Sequence, residues 1–87
     1  MDNEKFIAKC KKLVADYANE SFDKTDQTQI TMDNVFVVWS CKTLQNNKAL
    51  LSTTVSEGMY YELTYNGDKG EIYVDAYLKK SNECIKV

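Results

Sequence analysis

Met59-Tyr60-Tyr61-Glu62-Leu63-Thr64-Tyr65-Asn66-Gly67-Asp68-Lys69-Gly70-Glu71-Ile72-Tyr73-Val74-Asp75-Ala76-Tyr77-Leu78 alternates on both sides of a glycine-containing centre. That period of two is the signature of two strands, and the Asn66–Gly70 centre joins them as an antiparallel hairpin. Met59, Tyr61, Leu63 and Tyr65 share one face with Ile72, Val74, Ala76 and Leu78, and this apolar face should meet the rest of the core. Tyr60, Glu62 and Thr64 share the other with Glu71, Tyr73, Asp75 and Tyr77, a face both polar and rich in tyrosine.

Three registers keep the apolar face intact. A two-residue loop at Asn66-Gly67 sets Glu62 opposite Glu71, and a four-residue loop at Gly67–Gly70 sets it opposite Asp75. A loop centred on Gly67-Asp68 avoids both like-charge pairs. The hydrophobic pattern alone does not choose among them.

Upstream, Val35-Phe36-Val37-Val38-Trp39-Ser40-Cys41 is β-branched and aromatic, and apolar on both faces at its start, so it reads as a central strand. The face that Trp39 occupies stays open. Gln45-Asn46-Asn47-Lys48 reads as a turn, because asparagine tolerates positive φ, and Ala49–Val55 returns as the second strand. Ser56-Glu57-Gly58 makes the next corner.

Before the sheet, Phe6, Ile7, Cys10, Leu13, Val14 and Tyr17 recur at helical spacing, with Lys5, Lys9, Lys12, Asp16 and Asn19 on the other side. The spacing predicts an amphipathic helix over about 3–20, started by a cap at Asp2 or Asn3 and frayed near Asn19–Phe22, where no glycine stop exists. Residues 21–33 are a polar connection in which Thr28, Ile30 and Met32 alternate, so a loop and a short edge strand are both open. The tail Cys84-Ile85-Lys86-Val87 alternates and adds a candidate short fifth strand. The expected fold is one α+β domain over 1–87, an N-terminal amphipathic helix packed on a four-stranded antiparallel β-meander over 34–87.

Composition narrows function mainly by exclusion. Eleven basic and thirteen acidic residues leave a net charge of -2, without a global field to attract nucleic acid or an anionic membrane. No apolar run reaches the roughly 18–20 residues of a membrane span. The charged N-terminus, Met1-Asp2-Asn3-Glu4-Lys5, does not resemble a signal core, so secretion is not expected and the sequon Asn19-Glu20-Ser21 reads as chance. Cys10, Cys41 and Cys84 are scattered and read as reduced thiols, each a small buried hydrophobe.

Histidine is absent from the chain. The usual acid–base group and the Ser-His and Cys-His nucleophile pairs are therefore missing, so no catalytic residue, no metal site and no cofactor is expected. Glu62, Glu71 and Asp75 are the remaining candidates for an acid–base pair or cation site, against solvated surface charge as the plainer reading. Lys5, Lys9, Lys11 and Lys12 are the sole basic concentration, diluted by Asp2, Glu4 and Asp16. Three Phe, six Tyr and one Trp exceed what so thin a core encloses comfortably. Tyr60, Tyr73 and Tyr77, with Trp39 as a further candidate, form the expected partner-binding face, because exposed sheet aromatics anchor protein interfaces or stack bases.

Val37-Val38-Trp39-Ser40-Cys41-Lys42-Thr43-Leu44-Gln45-Asn46-Asn47-Lys48-Ala49-Leu50-Leu51-Ser52-Thr53-Thr54, with Gly58-Met59-Tyr60-Tyr61-Glu62 and Tyr65-Asn66-Gly67-Asp68-Lys69, resembles a family of small uncharacterised proteins encoded by phages and prophages of Gram-positive bacteria. The resemblance implies expression in a bacterial cytoplasm and assigns no activity. The combined expectation is a non-enzymatic phage or prophage accessory protein that binds a host or phage protein. A homodimer through a sheet edge is a second partner expectation, and single-stranded nucleic-acid binding through the same aromatics is the alternative function.

Overall fold

The structure, a computed structural model, describes residues 1–21, 29–55 and 58–87. The helix α1 runs Asn3–Ser21, followed by a short 3-10 turn at Met32–Asn34 and the strands β1 (Val35–Thr43), β2 (Asn46–Thr53), β3 (Met59–Asn66) and β4 (Glu71–Leu78). The strands form one antiparallel sheet in the order β1-β2-β3-β4, the expected meander, but β1, expected to be central from its apolar faces, stands at an edge. Residues 79–87 carry no strand, so the fifth strand does not form. The expected Ser56-Glu57 part of the corner, and the stretch 22–28 of the connection, lie outside the described residues.

Asp2 starts the helix by two bonds. Its carboxylate accepts the Lys5 amide at 2.8 Å and its carbonyl the Phe6 amide at 3.0 Å. A side-chain acceptor there satisfies an amide that the first turn otherwise leaves orphaned. The far end closes at Ser21, within the expected Asn19–Phe22 range, whose last residue lies outside the described residues. The Asn19 amide nitrogen donates to the Ile30 carbonyl at 2.8 Å, and Ile30 N–H donates to Asn19 Oδ1 at 2.7 Å. This two-bond clasp holds Ile30 in the core. Its segment, 29–31, is therefore tied down without being an edge strand.

The core is one layer between α1 and the inner sheet face: Phe6, Cys10, Val14 and Ala18 from the helix meet Val35, Ala49, Leu51, Tyr61 and Leu63. Each fully buried large side chain such as Phe6, Leu51 or Leu63 contributes about 1.5–3 kcal/mol. Tyr17, expected in the stripe, lies at its exposed margin. Its ring meets that of Tyr61 edge-on, with centroids 5.7 Å apart and planes at 69°.

The helix packs across β1 and β2 and reaches β3. A helix about 10 Å across spans roughly two strands at about 4.8 Å spacing, so a single one leaves the fourth strand beyond its cover. The expectation that this face of β4 meets the rest of the core holds for Ile72, which packs against it, and is corrected for the rest. Val74 is 38% and Leu78 72% exposed, and Ala76 is exposed as well. A groove of about 300 Å³, lined by Leu13, Asp16, Tyr17, Glu20 and Val74, lies between the helix flank and β4.

The first hairpin turns earlier than its asparagines suggest. Thr43 pairs with Asn46, so the loop is Leu44-Gln45, and Leu44 rather than an asparagine takes positive φ, at 55°. Asn46 and Asn47 belong to β2. Asn47 sits on the inner face, 1% exposed, with neither amide atom hydrogen-bonded. Asn46 Oδ1 accepts the Gly67 amide of the other hairpin at 3.0 Å, and Gln45 Nε2 donates to Asp68 Oδ1 at 2.8 Å. The two loops are thus bonded side by side.

Candidate functional site

Among the described residues no element lies over the sheet face away from the helix, and the composition of that face follows from register. Ala49 and Leu51 point into the core, which sends Lys48, Leu50 and Ser52 outward. On β1 a bulge between Val37 and Trp39 shifts the pairing: Val37 faces Leu51 on the inner side, and Trp39 faces Leu50 on the outer side. Without that extra residue Trp39 would share the inner face with Val35 and Val37. Strand periodicity alone has no means of locating a bulge.

Phe36 reaches the same outer face opposite Ser52, and Cys41 opposite Lys48. The expectation that each thiol is buried therefore holds for Cys10, whereas Cys41 and Cys84 are exposed. Burial also pushes the Cys10 thiol up to about 12, leaving it without nucleophilic thiolate at neutral pH.

Across β3 and β4, Asn66 pairs with Glu71, so the chain adopts the Gly67–Gly70 loop. Of the three open registers this one sets Glu62 directly opposite Asp75. What makes the like-charge pair tolerable is Lys48, whose Nζ lies 3.4 Å from Glu62 Oε1. A further support is the bonding of this loop to Gln45 and Asn46. Thr64 opposes Tyr73, and Tyr60 opposes Tyr77.

The outer face therefore carries a straight row, Trp39-Leu50-Glu62-Asp75, across all four strands. Tyr73 flanks Asp75 on one side and Tyr77 on the other. Trp39 is 42% exposed and Tyr73 and Tyr77 are each 51% exposed, while Tyr60 is half-buried between neighbours. All four expected site residues thus share one face, joined by Phe36 and Leu50. Those two escaped notice because Phe36 lies in a strand apolar on both sides, and Leu50 has an apolar neighbour at every adjacent position from Ala49 to Leu51.

The charges on this face are unequally engaged. Glu62 is held by Lys48. Glu71 Oε2 accepts the Tyr73 hydroxyl at 2.9 Å, and that bond, with the carboxylate's charge, raises the Tyr73 pKa above its ordinary 10.0. Asp75 has no hydrogen bond or ion pair among the described residues. The three acids do not converge: among the described residues no group of three His, Cys, Asp or Glu is placed to hold a metal.

A separate groove of about 570 Å³ lies on the other side of the sheet, between Asn3, Glu4, Ile7 and Lys11 of the helix and Met32, Asp33 and Val35. The helix lysines lie on the helix side too, remote from the aromatics; Lys12 is engaged with Asp16 at 3.1 Å. Among the described residues no helix is long and apolar enough to cross a membrane.

Comparison with known proteins gives a match over residues 7–87 to a family of unknown function, DUF6275. No curated protein and no solved structure matches the chain.

Proposed function

The chain belongs to that family of unknown function, and from this premise we propose that it is a non-enzymatic protein-binding domain whose uncovered sheet face takes a partner bearing arginine or lysine among apolar side chains. The observation that carries the reading is Asp75: a carboxylate without a hydrogen bond or ion pair among the described residues, flanked by two half-exposed tyrosines and facing Glu62. Aromatic faces attract cations by about 0.5–1 kcal/mol at exposed sites and more when desolvated. A carboxylate beside them adds a charge-assisted bond. Trp39, Leu50 and Phe36 supply the apolar remainder, and Trp and Tyr are the residues that most often anchor interfaces. The partner is a phage or host protein of the bacterial cytoplasm, in keeping with the phage and prophage resemblance.

Single-stranded nucleic acid fits this face less well. Lys48 is the lysine that the described strands place there, and it is engaged with Glu62. Phosphate would meet Glu71 and Asp75 instead, and backbone charge governs such affinity.

A peptide-display selection on the immobilised chain tests the proposal. Enriched sequences should contain arginine or lysine next to aromatic or aliphatic residues, and Asp75→Lys should abolish their binding while circular dichroism stays unchanged. Enrichment of sequences without basic residues, or retention of binding by Asp75→Lys, refutes the reading. Salt-sensitive binding of single-stranded DNA that is lost with Tyr73→Ser and Tyr77→Ser would establish the alternative.

A further inference from the structure

The two edges of the sheet are not alike. β1 carries a bulge at Val38 and a lysine, Lys42, whose Nζ bonds the carbonyls of Leu44 and Met1 at 2.9 and 3.4 Å. Bulges and lysines are the usual guards against edge-to-edge pairing. β4 has neither: Glu71-Ile72-Tyr73-Val74-Asp75-Ala76-Tyr77-Leu78 contains no lysine and no proline, and its pairing with β3 is unbroken over eight residues. Beside this bare edge lies the apolar inner row that the helix leaves uncovered.

The hydrogen-bond parity is fixed. Lys79 N–H donates to the Gly58 carbonyl at 2.7 Å, so odd-numbered residues of β4 turn their backbone groups toward β3. Ile72, Val74, Ala76 and Leu78 therefore direct theirs to the open edge. We propose that a second copy of this chain pairs there, β4 antiparallel to β4, with the two-fold axis at Val74, giving a continuous eight-stranded sheet.

Charge selects that axis among the registers the parity allows. An axis at Tyr73 sets Glu71 against Asp75 of the other copy twice, and one at Asp75 brings the two Asp75 side chains together. An axis at Ala76 leaves only the Val74–Leu78 half of the strand paired. The Val74 axis matches Ile72 with Ala76, Tyr73 with Asp75 and Glu71 with Tyr77, and Lys69 and Lys79 meet only beyond the strand ends. It also joins Ile72, Val74 and Ala76 of both copies into one apolar seam between the two helices. The partner is a second copy because β4 in this register supplies both what the edge lacks: apolar residues on the helix side, and neutral tyrosines opposite the acids on the outer side. This inference stands independently of the outer-face reading.

Sedimentation equilibrium of the full chain tests it. A dimer is expected, and Ala76→Pro, which removes an edge N–H without touching the β3 ladder, should raise the dissociation constant at least about tenfold. Val74→Lys, which sets two lysines together at the axis, should do the same if the proline variant folds poorly. In a Cys41→Ser, Cys84→Ser background, Val74→Cys should be joined efficiently by a short bis-maleimide, since paired Cα atoms there lie about 5.5 Å apart. Glu71→Cys should not be, because its two copies lie about 20 Å apart. A monomer at millimolar concentration, a dimer unaffected by both edge variants, or equal cross-linking at the two positions overturns the proposal.

Discussion

Gly67→Ala should separate the two hairpin loops and destabilise the domain. A Cβ at Gly67 would stand 2.2 Å from the Gln45 carbonyl oxygen, 2.8 Å from Gln45 Cβ and 3.0 Å from its carbonyl carbon. Carbon–oxygen contacts close at about 3.3 Å, so the loops must part by about 1 Å. That movement breaks the Gly67–Asn46 and Gln45–Asp68 bonds. Each is worth about 0.5–1.5 kcal/mol, and both are exposed, which puts the loss at about 1–2 kcal/mol. For a domain of this size the melting temperature should fall by about 4–16 °C. Gly70 is the internal control, because its φ is +64° and nothing lies within 4 Å of its would-be Cβ. Asparagine, which tolerates that conformation, should be nearly neutral at Gly70 and as harmful as alanine at Gly67. Differential scanning calorimetry of the three variants decides it. A Gly67→Ala melting temperature equal to that of the parent, or asparagine tolerated at both positions, refutes the adjacency of the loops and with it the Glu62–Asp75 register.

Asn47→Leu, which keeps the branching and removes an unpaired buried amide, should stabilise the fold by about 1–3 kcal/mol in urea unfolding. Asn19→Ala should cost about 1–3 kcal/mol by releasing both bonds to Ile30, with faster hydrogen exchange at the Ile30 amide as its local signature. Under native conditions a chromogenic disulfide should titrate Cys41 and Cys84 but reach Cys10 only after denaturation. Because the folded Cys10 pKa of about 12 exceeds its ordinary 9.0, ionisation above pH 9 favours the unfolded chain. The Cys10 share of stability is complete below pH 9 and declines from there toward pH 12, a slope that Cys10→Ala removes.

The helix and the last hairpin were legible because each follows a single period. Phe6, Cys10 and Val14 fall where helical spacing puts them, and β3 occupies the expected Met59–Asn66. What stayed hidden depends on contacts between elements. The Val38 bulge decides the face of Trp39, and a one-residue shift leaves no mark in the apolar run around it. Asn46-Asn47 imitates a turn, but the bonding of Asn46 to Gly67 belongs to a different hairpin. The charge argument against setting Glu62 beside Asp75 lacked Lys48, which arrives from β2. The uncovered inner row of β4 follows from the width of a single helix rather than from any residue in that strand. The site was legible as a set of tyrosines, and its order across the sheet came only with register.

The most direct measurement is a nuclear magnetic resonance titration of the labelled chain with a selected basic-aromatic peptide. The account predicts that the Trp39 indole and the amides around Tyr60, Tyr73, Asp75 and Tyr77 shift together, and that Asp75→Lys removes the response. Shifts confined to the helix and the groove around Ile7 and Met32, with the sheet face silent, would contradict it.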